Sequence, residues 1–83
     1  MRYYFHVTSA GQSYHDAEGL LCINSESAKF HACLMASELA RLLGKKLVGD
    51  ERLEALSVQV IDEWGNEVTR MPIVAGLTRY FLN

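Results

Sequence analysis

From Asn24 to about Leu47 the chain spaces its apolar residues as a helix does, but on two faces rather than one. Wound at about 100° per residue, Ala28, Ala32, Met35, Ala36, Leu39, Leu42 and Leu43 share an arc of about 120°, which predicts a stripe facing a core. Phe30 and Leu34 stand one turn apart on nearly the opposite side, with His31, Ser37, Glu38, Arg41 and Lys45 around them. A core of this size cannot cover both faces, so the second stripe predicts a contact with something else. Asn24 is among the best N-cap residue types, and Glu26 falls in the first turn, where the helix dipole favours an acid. Gly44 interrupts near the far end, Arg41, Lys45 and Lys46 complement the carbonyl terminus, and Gly49-Asp50 ends the segment.

The flanking segments alternate with a period of two. Arg2 to Thr8 sets Tyr3, Phe5 and Val7 against Arg2, Tyr4, His6 and Thr8, a strand with one face inward. Gly11 supplies the positive φ of a tight hairpin, and symmetry about Ala10 and Gly11 pairs Thr8 with Ser13, Val7 with Tyr14, His6 with His15 and Phe5 with Asp16. Asp16-Ala17-Glu18-Gly19 reads as a turn or bulge before an apolar extended segment, Leu20 to Ile23. Glu54 to Asp62 predicts a further strand, Asp62 to Asn66 a hairpin turn with Gly65 or Asn66 at positive φ, and Val68 to Val74 the return. Pro72 cannot donate to a ladder and places that return strand at an edge, or ends its pairing beyond Met71.

These elements predict an α+β domain of ββαββ order, an antiparallel sheet of two hairpins with one long helix packed on one face. The single domain spans 1–83: a first hairpin and extended segment at 1–23, the helix at 24–47, a second hairpin at 54–74 and an apolar tail at 75–83 that carries Leu77, Tyr80, Phe81 and Leu82. The opposite sheet face, with Arg2, Tyr4, His6 and Gln59, is left solvated or used for contact.

Composition narrows the function classes. Eight Lys and Arg against ten Asp and Glu give a net charge of -2, without the basic excess that phosphate neutralisation requires, which disfavours nucleic acid as a partner. Apolar runs such as Ala32 to Ala36 fall far short of the ~20 residues that span a bilayer. Met1 and Arg2 lead straight into an aromatic strand with no secretory signal pattern, which predicts a cytoplasmic protein. Cys22 and Cys33 lack the spacing of zinc or redox motifs and read as two free, mostly buried thiols, a disulfide between them being the alternative.

Three stretches together carry a family resemblance: RYYFHV with D-A-E-G at Asp16 to Gly19, the capped Ala-rich helix from Asn24, and V-I-D-E-W-G-N-E-V-T-R-M-P from Val60 to Pro72. Over nearly the whole chain they resemble a group of short bacterial proteins catalogued as a domain of unknown function and common among soil alphaproteobacteria. The resemblance supplies no catalytic residues. It also marks two departures: Phe5-His6 stands where the family usually has Y-F-D, and Phe30 and Leu34 stand on a helix that is usually polar.

Candidate chemistry is sparse. His6 and His15 on paired strands are weak candidates for a transition-metal pair, although zinc would require a third and a fourth ligand. Asp16 with Glu18 and Asp62 with Glu63 flank glycine turns and are explained by turn formation without acid-base catalysis. No nucleophile, phosphate-binding or dinucleotide motif occurs, so the reading is non-enzymatic, with no cofactor. The best-supported site is a protein interface of Phe30, Leu34, Ser37 and Arg41, with Trp64 at a turn tip and Tyr80 and Phe81 from the tail, in a homo-oligomer or an adaptor. An antitoxin-like regulator that binds a toxin or nucleic acid, and a small metal-binding protein using His6 and His15, remain the alternatives.

Overall fold

Alternation along the first strand decides which face of the sheet is buried, and the rest assembles on that face. In a computed structural model that describes residues 1–9, 12–47 and 56–73, and only the backbone of 43–47, β1 spans Arg2–Ser9. Tyr3 and Phe5 are buried, while Arg2, Tyr4 and His6 between them are half-exposed. β2 (Gln12–Tyr14) and β3 (Leu20–Leu21) precede α1 (Ser25–Leu47), which β4 (Ser57–Asp62) and β5 (Glu67–Pro72) follow. All pairings are antiparallel, in the order β2-β1-β4-β5, with β3 also on β1. The α+β arrangement of two hairpins and one helix is the expected one, with Leu20–Leu21 as a fifth, short strand.

Central pairing joins β1 to β4, with Phe5 opposite Val60 and Val7 opposite Val58. The first hairpin has the register its symmetry predicts, Val7 with Tyr14 and Thr8 with Ser13; Ala10 and Gly11 lie outside the described residues. β5 lies at the sheet edge, as Pro72 requires, and Pro72 still stands opposite Ser57. Between Val60 and Ile61 the β4–β5 ladder shifts register, and Val68 packs against the core beside that bulge. The turn between these strands is built on Asp62, whose carboxylate accepts from the amides of Trp64 (2.9 Å) and Asn66 (2.8 Å), with Gly65 at φ 87°. At the far end of the hairpin the Ile73 amide donates to the Leu56 carbonyl at 2.9 Å, and both side chains are buried.

Asn24 caps α1: its side-chain oxygen accepts from the Ser27 amide at 2.9 Å. The helix meets the sheet along one row of small residues, Ala28, Ala32, Ala36 and Ala40, each with no exposed surface. Tyr3, Phe5, Val58, Val60 and Ile73 supply the bulk from the other side, and Met35 and Leu39 flank the row. The sheet thus brings the large side chains and the helix the small ones, which lets the two layers approach closely at interior density. One member of the expected stripe needs correction. Leu42 is 62% exposed and Ala40 is buried in its stead, because the contact follows the i, i+4 row, which winds away from the side of the helix that carries Leu42. The side chain of Leu43, the ends of the second hairpin at Glu54 and Val74, Gly49-Asp50 and the tail at 75–83 lie outside the described residues.

Both cysteines are half-buried, so they are less enclosed than expected, and they form no disulfide. No described helix is long and apolar enough to cross a membrane.

Enlarging the row should push the layers apart. Ala32→Leu is expected to lower the unfolding free energy by about 1–3 kcal/mol in urea denaturation, the cost of overpacking a filled core. A midpoint equal to wild type would show that α1 does not rest on this row.

Candidate functional site

Two places concentrate unusual side chains: the outer face of α1 and the arch where β1 passes from β3 to β2. On the helix, burying the alanine row leaves the opposite side outward. Phe30 is 60% and Leu34 51% exposed, one turn apart and pointing away from the sheet. Ser37 lies half-buried one turn further, followed by exposed Arg41. Glu38 holds the Arg41 guanidinium through both of its carboxylate oxygens, and this pairing keeps the Glu38 carboxyl below the usual range. Glu26 and Lys29 form a second exposed pair, 3.5 Å apart, at the start of the helix. His31 departs from this set: its ring meets Phe5 edge-on with centroids 4.7 Å apart, so it borders the core rather than the outer stripe.

Of the remaining expected interface residues, Trp64 is 68% exposed on the β4–β5 turn, away from α1 in sequence and on a different element. Tyr80 and Phe81 lie outside the described residues. Leu21 (67%) and Ile23 (91%) are exposed next to the short edge strand β3, which the reading of Leu20 to Ile23 as an apolar extended segment did not foresee. The available signal was the run itself: four apolar residues between Gly19 and Asn24 have no polar alternation, and three of them, Leu20 (41%), Leu21 and Ile23, stand exposed.

At the arch, the ladder between β1 and β2 ends at Tyr14, yet the predicted neighbours still meet. The His6 and His15 rings lie 4.8 Å apart, edge to face, and the Tyr4 ring stacks beyond His6 at 6.5 Å. Asp16 replaces the missing ladder bonds. Its carboxylate accepts from the amides of Phe5 (3.2 Å), Glu18 (3.2 Å) and Gly19 (3.0 Å). Gly19 sits at φ 72°, and a Cβ there would fall 2.9 Å from the Tyr3 carbonyl oxygen and 2.8 Å from Arg2 Cγ, so the arch has room for glycine alone. The Gly19 amide bond, followed by those of Phe5 and Glu18, holds the Asp16 carboxyl below its ordinary value.

A bond in the opposite direction sets the state of His6. The Asp16 amide donates to His6 Nδ1 at 2.9 Å, so Nδ1 keeps its lone pair and, in the neutral ring, the proton sits on Nε2. A metal at Nε2 would force that proton onto Nδ1 and break the bond. The carboxylate of Asp16 is already committed to three amides, and among the described residues no group of three or more His, Cys, Asp or Glu side chains could hold a metal ion. In this arrangement His6 Nδ1 helps to hold the arch by accepting from the Asp16 amide. Burial of the ring, then the nearby charge of His15, lower the His6 pKa, while Asp16 opposes them.

The family model described as "Domain of unknown function (DUF6894)" matches residues 2–75. No curated protein and no solved structure matches the chain.

Linkage gives the arch a pH signature. The folded His6 binds its proton less readily than the unfolded one, so the stability it contributes is complete above the unfolded value of about 6.5 and is lost as pH falls through the lower folded value. Unfolding midpoints in urea should fall as pH is lowered below about 6.5. His6→Phe should flatten that part of the profile and leave the loss at lower pH, where Asp16 and Asp62 take up protons. An unchanged slope in the variant would remove His6 as the cause.

Proposed function

The chain belongs to the DUF6894 family, and from that premise we propose that this protein is a non-catalytic interaction module, which holds a protein partner or a second copy of itself on the outer face of α1. The observation that carries the reading is the 60% and 51% exposure of Phe30 and Leu34 on a well-capped helix whose alanine row on the other side is buried. An aromatic and a branched apolar side chain one turn apart, beside an arginine steered by Glu38, is the composition of an interface centre with its polar rim. Isolated exposed apolar residues are ordinary, but here two share one face with Arg41.

The acids support the absence of catalysis in this reading. Asp16 and Asp62 have depressed pKa values because backbone amides occupy their oxygens, the opposite of the raised and accessible carboxyl that a general acid needs. Cys22 and Cys33 form no disulfide, which accords with a reducing compartment, and the proposal is of a cytoplasmic module.

Light scattering and affinity recovery from lysate, on wild type and on Phe30→Asp with Leu34→Asp, test this reading. The double variant should keep its fold, since such exposed changes alter stability by about 0.5 kcal/mol or less, and should lose the complex that wild type forms. A wild type that is monomeric and recovers no partner that the variant loses would overturn the proposal.

A further inference from the structure

We propose that the arch from His15 to Gly19 is a proton-operated latch: a proton on His6 releases it from β1, while the β1–β4 pairing and the seat of α1 stay intact. The observation that carries this is a hydrogen bond whose sense a proton reverses. The Asp16 amide donates to His6 Nδ1 at 2.9 Å. An imidazolium bears hydrogens on both ring nitrogens, so a protonated His6 sets a donor against a donor at that place. Turning the ring does not restore the bond, because Nε2 is then a donor as well.

The arch is held to β1 by few contacts. The β1–β2 ladder ends at Val7 with Tyr14 and the β1–β3 ladder at Tyr3 with Leu20, so no strand flanks Tyr4, Phe5 and His6 on this side. There the arch reaches β1 through the Asp16–His6 bond, through the Phe5 amide to the Asp16 carboxylate (3.2 Å) and through Arg2 Nη1 to the Glu18 carbonyl (2.6 Å). The bonds from the Glu18 and Gly19 amides to the Asp16 carboxylate are internal to the arch and travel with it. On its other side β1 pairs with β4 from Tyr3 to Thr8, and the buried cluster that seats α1 includes no arch residue. An edge segment with so little buried contact opens as a local unit.

The charges around His6 act on the same bond. The His15 ring lies 4.8 Å away, and two imidazolium rings at that distance repel. Arg2, bonded to the Glu18 carbonyl, adds positive charge to the arch. Tyr4 stacks beyond His6 at 6.5 Å without charge. From β4, Gln59 stands opposite, its side-chain amide donating to Glu67 (3.1 Å), which Arg70 of β5 pairs at 2.9 Å. β2 brings only Gln12, Ser13 and Tyr14, and the His31 of α1 meets Phe5 on the other sheet face. Against release stands the Asp16 carboxylate, which attracts a charged His6, with exposed Glu18 further along the arch. In the closed arch burial and His15 outweigh Asp16, so the neutral ring is favoured. Asp16 itself stays ionised while His6 titrates, since its amide bonds keep its carboxyl low.

Hydrogen exchange of the native full chain, followed amide by amide in low urea at pH of about 7.5 and about 5.5, tests the latch. Acidification over this range should lower the protection of the Phe5 and Asp16 amides by up to about tenfold, the effect of one proton taken up on opening by a group of ordinary pKa about 6.5. Their exchange should depend little on urea, whereas the amides of Val58 and Val60, on a strand paired on both sides, should follow the urea slope of global unfolding. His6→Asn offers an acceptor oxygen that takes up no proton, and its arch amides should show the same protection at both pH values. Wild-type arch amides that keep their protection in acid would mean that the charged ring still holds the arch, and the latch is overturned. It is overturned equally if the arch amides share the urea slope of Val58 and Val60, or if His6→Asn loses protection in acid as wild type does.

Discussion

The close seating of α1 on the sheet through a row of alanines is the constraint on which the rest of this structure depends. A helix that rests on Ala28, Ala32, Ala36 and Ala40, with Met35 and Leu39 packed against the same core, has its rotational phase set by shape. Bulk is divided unequally: the sheet supplies the large residues Tyr3, Phe5, Val58, Val60 and Ile73, and the helix supplies the recess they fill. One consequence is local density in a chain too short for a second core. The other is that every large residue on the far side of the helix must face outward, and Phe30 and Leu34 do.

A second economy operates at the sheet edge. β1 borrows its outer neighbour from two short strands, and the gap between them is bridged by side chains rather than by a ladder. Asp16 gives three acceptor contacts to the backbone, and its own amide is received by His6. An aspartate and a histidine within a strand of one another suggest acid-base or metal chemistry on inspection. Here the directions of the hydrogen bonds give both an architectural task, since both carboxylate oxygens of Asp16 and Nδ1 of His6 accept from backbone amides.

Much of this was readable in the residues because it depends on local periodicity. The inward face of β1, the Val7–Tyr14 register, the Asn24 cap, the turn at Gly65 and the outward placement of Phe30 and Leu34 all follow from spacing and turn chemistry. What escaped is what depends on contacts between distant segments. Leu42 was assigned to the core by its arc, but which edge of an arc is used depends on where the sheet lies, and the sheet lies toward Ala40. The position of β1 between β4 and the two short strands has no local signal, and neither has the donor role of the Asp16 amide toward His6 Nδ1. The exposure of Leu21 and Ile23 belongs to the same class, since an apolar run predicts a strand without saying what covers it.

Nuclear Overhauser contacts from the α1 side chains in solution test the seating on the alanine row directly. Cross-peaks are expected from the methyls of Ala32 and Ala36 to the rings of Tyr3 and Phe5 and to the methyls of Val58 and Val60, and none from the Phe30 ring to those valines. Contacts from Phe30 or Leu34 to Val58 and Val60, with none from the Ala32 and Ala36 methyls to the sheet, would contradict that seating.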